Sequence, residues 1–125
     1  VALQVVMGTT PYDDGDPAAS PARVAAALRE GTPVSTSRPS PDVVLAAYRQ
    51  AAAHGADEVV SVHLSAQLSA TFESAQLAAR RAPLPVHPVD TGQIGPGTGF
   101  AALAAARAAA AGAPAPEAAA AARAC

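Results

Sequence analysis

Two short runs concentrate the side chains that could hold or attack a polar group. One places Ser65, Ser69 and Thr71 inside "HLSAQLSATFESA"; the other is "STSRPS", from Ser35 to Ser40. Hydroxyls at a strand-to-helix junction serve three kinds of chemistry. They cap the helix by accepting one of its unpaired first-turn N–H groups. They help hold an anion such as a carboxylate or phosphate beside those N–H groups, where the helix dipole contributes about 0.3–1 kcal/mol. Or, paired with a base, one of them acts as a nucleophile. A cap accounts for Ser69 but not for Ser65, Ser69 and Thr71 together, so the anion reading stands beside the capping one. In the second run Ser40 already caps the helix that Pro41 opens, which leaves Thr36 and Ser37 spare. Loops rich in Ser, Thr and Pro are also ordinary solvated turns.

The nucleophile reading needs a base within reach. His54 stands beside a helix-ending glycine, His63 lies within a strand and His87 precedes Pro88, so each reads as structural or surface. No G-x-S-x-G elbow surrounds Ser65 or Ser69. A serine-dependent hydrolase or acyl transferase using one of these two serines is the enzyme alternative, and it lacks a recognisable base. A Rossmann-like nucleotide site is the other alternative. "GTGFAA", from Gly97 to Ala102, fits the G-x-G-x-x-G/A pattern after a strand, but Glu117 at the required spacing opens a helix instead of ending a strand. Asp13, Asp14 and Asp16 cluster in "YDDGD" without the other ligands of a calcium loop, so they read as a turn and no metal site is predicted. Asp90, at a strand end, is placed to orient neighbouring N–H groups.

Composition narrows the partners. The chain has 125 residues, a net charge of −2 and eight basic residues, all arginine, which leaves no basic stripe for nucleic acid or an anionic membrane surface. The longest alanine-rich run, Ala101 to Ala111, is too short and too weakly apolar to span a bilayer. The single cysteine, Cys125, forbids an internal disulfide and fits a reducing, cytoplasmic setting. With only four Phe and Tyr residues, the core must come from Val, Leu, Ile and closely packed Ala faces.

The elements that must position these residues follow from pattern. "VALQVVM" (Val1–Met7) is predicted as a strand and "GTTPYDDGDP" as a turn. "ASPARVAAALREG" is a helix with Ser20 as cap, Pro21 at its first position and Gly31 past its end. "TPVSTSRPSP" reads as a loop without periodicity. A second helix runs from Ser40-Pro41 to Gly55, with Val44, Tyr48 and Ala52 on one face. "DEVVSVHL" is a strand, followed by a helix whose stripe is Leu68, Phe72, Ala75 and Ala79. "LPVHPVD" is a strand, "TGQIGPGTG" a glycine-rich loop, Phe100–Ala111 a helix, and Glu117–Ala124 the start of another. Strands separated by single helices imply βαβ units, a parallel sheet and three layers, with ligands at the carboxyl ends of the strands. The chain opens inside a strand-like run and stops inside an alanine helix, and is read as a single partial α/β domain over 1–125, incomplete at both ends.

Taken together, the runs resemble the DegV family of bacterial fatty-acid-binding proteins over essentially the whole chain. "PVSTSRPSP" (Pro33–Pro41) is similar to the family's P-x-T-S-Q-P-S-P, and "HLSAQLSATFESA" to its S-S-x-L-S-G-T-Y-x-S-A. "VDTGQIGPGTGF" resembles D-S-x-x-x-S-x-G-x-G, and "YDDG" resembles Y-x-D-G. The resemblance implies two α/β domains around a fatty acid, of which this chain corresponds to most of the first. An initial strand with a D-S-T-A-D-like turn and the whole second domain have no counterpart in it. It implies a non-catalytic carrier that needs no cofactor. Its long-chain fatty acid would present the carboxylate to a separate fatty acid kinase of the dihydroxyacetone-kinase-like type, which makes the acyl phosphate. The family threonine falls on Thr36 and the family serine on Ser69, both expected to hydrogen-bond the carboxylate, with Ser37, Ser65 and Thr71 in support. Ala70 stands where the family prefers glycine, which tightens the backbone's approach to the carboxylate. Arg38 and Pro96 depart from the usual glutamine and methionine.

Overall fold

The computed structural model describes residue 1 and residues 3–125; Ala2, within the predicted strand Val1–Met7, lies outside the described residues. The chain divides into two compact units, Val1–Pro39 and Ser40–Cys125.

The first unit is a three-stranded antiparallel sheet, ordered β2-β1-β3, with one helix. Its strands are β1 (Gln4–Met7), β2 (Thr10–Asp13) and β3 (Val34–Ser37); the helix is α1 (Pro21–Arg29). Gly8, at φ +63, opens the two-residue turn between β1 and β2, a backbone angle that suits a tight hairpin and favours glycine. Two expectations are corrected here. The predicted turn after Met7 contains β2, and the predicted loop "TPVSTSRPSP" contains β3, both paired antiparallel with β1. Each is a four-residue edge strand, too short to show alternation, and Pro11 is tolerated because an edge position needs no N–H on its outer side. β1 is also no member of a parallel sheet, although a helix separates it from β3. Ser20 precedes α1 but makes no side-chain cap bond, whereas Asp16 Oδ1 accepts from Ala18 N at 2.7 Å one turn earlier.

The second unit is the three-layer parallel α/β element. β4 (Val59–His63) and β5 (Val86–Asp90) pair in parallel, with His63 opposite Asp90 at the carboxyl end. Helices α2 (Pro41–Ala53) and α3 (Thr71–Ala79) cover one face, where Val44, Leu45, Tyr48, Ala75 and Ala78 are buried against Val59 and Val86. Helices α4 (Pro96–Ala110) and α5 (Ala115–Arg123) cover the other, where Val89, Ala101, Ala105, Ala119 and Ala122 pack with Val60 and Val62. Both faces of the sheet are covered by helices, which is why β4 reads as a run of valines instead of an alternation. Ser40 caps α2 through Val43 N at 3.4 Å, as its position before Pro41 predicts.

Three boundaries in this unit differ from pattern. α3 begins at Thr71, so Leu68 sits in the preceding turn, 64% exposed, and the buried stripe is Thr71, Ser74, Ala75 and Ala78. α4 begins at Pro96, not Phe100, because Pro supplies a first helical position and Gly95, at φ +58, turns the chain into it. Gly97 and Gly99 therefore lie inside a helix, not in a phosphate-cradling turn, and the dinucleotide reading of "GTGFAA" loses its geometry. α5 begins at Ala115, whose N–H donates to Glu58 Oε2 at 3.3 Å, a cap from a residue distant in sequence.

Candidate functional site

The carboxyl end of the parallel pair is where the chain turns twice, from β4 into α3 and from β5 into α4. Asp90, the last residue of β5, ties the two turns together: its Oδ1 accepts from Ala66 N at 3.1 Å and from Gly92 N at 3.0 Å. This is the orienting role its strand-end position predicts. Thr91 adds Oγ1–H to His63 O at 2.8 Å, and Ser65 N donates to Gln93 O at 2.8 Å. The edge is a braced platform made of both loops.

Ser65 is buried at 5% exposure, and its Oγ accepts from Gln67 N at 3.2 Å while its carbonyl accepts from Leu68 N and Ser69 N. It builds the turn. Ser69 Oγ accepts from Thr71 N at 3.2 Å and lies 2.8 Å from Thr71 Oγ1. Ala70 occupies the N-cap position with no polar side chain to offer, so the first N–H of α3 is met by Ser69 instead. The φ of −76° and ψ of 13° at Ala70 are open to any L-residue, so alanine in place of the family's glycine carries no backbone strain; its side chain is exposed.

Proton counting shows what the Ser69–Thr71 pair can do. Two hydroxyls share one hydrogen bond, so one O–H is left to donate. Thr71 is 8% exposed and Ser69 is half-buried. With Thr71 O–H and Thr71 N–H both donating to Ser69 Oγ, the Ser69 proton is left for the more open side, at the head of a helix whose N-cap residue, Ala70, has no polar side chain. That is a donor for an anion. Among the described residues neither Ser65 nor Ser69 bonds to an imidazole, so the hydrolase alternative finds no base at either serine.

Thr36 and Ser37 belong to the first unit, on β3. Thr36 is exposed and opposite Val5; Ser37 Oγ–H reaches Gln4 Oε1 at 3.5 Å. In the second unit the expected residues Ser65, Ser69, Ala70 and Thr71 fall on one turn.

A further cluster escaped sequence reasoning. Tyr48 O–H donates to Ser61 Oγ at 2.8 Å, and Ser61 Oγ lies 2.7 Å from His63 Nε2. Ser61 and His63 sit two apart on a strand and so share a face, a legible signal, but Tyr48 reaches them only through the packing of α2. Burial lowers the His63 pKa, with Asp90 opposing, and raises that of Tyr48 against the hydrogen bond to Ser61. A cleft of about 660 Å³ lies on the other face of β4, lined by Val60, Val62, Ala105 and Ala118 and reaching Asp57 and Glu58 at the amino end of the strand. Among the described residues there is no group of His, Cys, Asp and Glu that could hold a metal ion, and no helix is long and apolar enough to cross a membrane.

By class, the second unit is a parallel α/β fold with a braced, hydroxyl-bearing turn at the carboxyl edge of its sheet. The particular family follows from comparison with known proteins. The model of the DegV family, described as uncharacterised protein of that family, matches residues 1–125, and the chain belongs to the DegV family. A DegV domain-containing protein of Streptomyces coelicolor is 48% identical over 103 residues, covering 82% of this chain and 36% of that protein. The fatty-acid-binding DegV family protein of Thermus thermophilus superposes with a TM-score of 0.85 at 34% identity, covering 94% of this chain and 42% of its own. A Thermotoga maritima structure that reveals a fatty-acid-binding function superposes at 0.82 with 28% identity, over 94% of this chain and 44% of its own. The chain thus spans well under half the length of these relatives.

Proposed function

We propose that this chain is part of a lipid-binding protein that carries a long-chain fatty acid and holds its carboxylate at the hydroxyl turn. Ser69 donates to the carboxylate, with Thr71 orienting it, the head of α3 beside it, and Ser65 and Ala70 in support; the family resemblance assigns Thr36, and Ser37 behind it, to the same carboxylate. The observation that carries this reading is the Ser69–Thr71 pair, which has one hydroxyl proton more than its own hydrogen bonds use. The fatty-acid binding of the Thermus and Thermotoga relatives supports the choice of ligand.

In this reading the chain corresponds to most of the first of two domains, and the second domain completes the pocket. An acyl tail contributes about 0.8 kcal/mol per buried methylene, so a long tail supplies on the order of 10 kcal/mol before costs. The turn then contributes orientation more than affinity. A carboxylate fixed at a domain edge is accessible to a separate fatty acid kinase, which performs the phosphoryl transfer in the cytoplasm; the carrier itself catalyses nothing. Denaturing the purified full-length protein and identifying the released small molecules by mass spectrometry tests this: a stoichiometric long-chain fatty acid is expected, and a bound nucleotide or no lipid would overturn it.

A further inference from the structure

We infer that His63 is a further headgroup residue of the carboxylate site, held by Tyr48 and Ser61 as a neutral imidazole whose proton sits on Nδ1. The inference rests on the lipid reading above for its ligand, but the relay itself stands on geometry. The three side chains form a line from the core to the sheet edge, with 2.8 Å between Tyr48 Oη and Ser61 Oγ and 2.7 Å between Ser61 Oγ and His63 Nε2.

The direction of the line follows from its donors. If His63 donated from Nε2 to Ser61, and Ser61 donated to Tyr48, the phenol proton would need another acceptor. Tyr48 is 4% exposed, and Ser61 is its one hydrogen-bond partner among the described residues. A buried unpaired O–H is costly. If Ser61 Oγ accepted from both neighbours, its own proton would have no acceptor among the described residues; with Tyr48 donating to Ser61 and Ser61 donating to Nε2, every proton along the line has an acceptor. Nε2 is then an acceptor, so the neutral ring carries its proton on Nδ1.

That Nδ1–H has no partner among the described residues. The enclosed unpartnered side-chain atoms are Ser74 Oγ, His87 Nε2 and Thr98 Oγ1, and His63 Nδ1 is not one of them, so it meets solvent. The ring sits at the site's corner: His63 is the last residue of β4, and its ring stands edge-on to Phe72, the residue that follows Thr71, with centroids 6.2 Å apart. A fixed N–H donor at the last residue of β4, on a ring packed against Phe72 in the first turn of α3, gives a carboxylate at that turn a second hydrogen bond without a second charge. Burial, which disfavours the imidazolium, agrees with a neutral ring.

The test is ¹⁵N NMR of the histidine side chains in the full-length protein near pH 7.5. Without ligand, His63 is expected to show a protonated Nδ1 and an unprotonated Nε2; Ser61→Ala should relax it toward the mixture of free imidazole, and Tyr48→Phe should do so partially. A protonated Nε2 in the unaltered protein overturns the relay. Hexadecanoate and its methyl ester are then the probes. The acid is expected to shift the Nδ1 resonance and the ester to leave it unmoved, and His63→Phe should weaken the acid roughly tenfold more than the ester. An unmoved Nδ1 with hexadecanoate bound overturns the headgroup role. Hexadecanoate failing to bind at all overturns the lipid reading and that role with it, while the ligand-free tautomer still decides the relay.

Discussion

Replacing Ser69 with alanine separates a headgroup contact from a structural hydroxyl. The change removes the oxygen that accepts from Thr71 N at 3.2 Å and pairs with Thr71 Oγ1 at 2.8 Å. Ser69 is half-buried and water can reach part of the vacated space, so the stability cost is about 1 kcal/mol, the worth of an ordinary net hydrogen bond. Affinity should respond more strongly. A hydrogen bond to a charged group is worth about 1.5–3 kcal/mol, which corresponds to a roughly 10- to 150-fold rise in Kd for the fatty acid. Calorimetric titration of the full-length protein with hexadecanoate and with its methyl ester is the decisive assay, alongside urea unfolding to register stability. The acid should lose affinity by that factor while the ester, which carries no negative charge, changes by only a few-fold. Equal losses for acid and ester would mean that Ser69 acts through the shape of the turn. An unchanged Kd for the acid would remove the spare proton from the argument altogether.

Other consequences are simpler to test. Gly95→Ala places a side chain at φ +58°, ψ −129°, and should destabilise the second unit by about 1–3 kcal/mol in urea unfolding, since nothing but strain opposes it. Arg81→Ala breaks a 2.8 Å ion pair with Asp42 whose side chains are 57% and 76% exposed, so thermal unfolding should move within about 0.5 kcal/mol of the parent. Because folding lowers the His63 pKa, the unfolded chain binds more protons just below its ordinary value of about 6.5. Stability contributed by neutral His63 is therefore complete above that pH and is lost as pH falls from about 6.5 toward the depressed folded value; His63→Gln should flatten that part of the profile in urea titrations at stepped pH. The 125-residue chain expressed alone should bind hexadecanoate far more weakly than the full-length protein, and equal affinity would contradict the expectation that a second domain completes the pocket.

How far the fold and site were legible depends on which signals are local. Capping by Ser40, the Ser65–Ser69–Thr71 run and the valine strand could be read because caps, turns and doubly buried strands impose residue types within a few positions. β2 and β3 could not, because four-residue edge strands exist only through pairing with β1. Leu68 falls outside the stripe on α3 for a related reason: hydrogen bonds from Leu68 N and Ser69 N to Ser65 O hold that segment as a turn. The cap of α5 by Glu58 and the Tyr48–Ser61 contact join elements far apart in sequence and leave no periodic trace.

By itself, the sequence determined that an α/β chain places surplus hydroxyls at a strand-to-helix junction, because residue type and spacing along one turn are local properties. Tertiary structure alone decided which of those hydroxyls are consumed. Ser65 is spent on its own turn, Asp90 braces the turn from the neighbouring strand, and the Ser69–Thr71 pair keeps one proton to give. Hydrogen-bond capacity is conserved across the whole folded chain, so what remains for a ligand is known only once every internal partner has been placed.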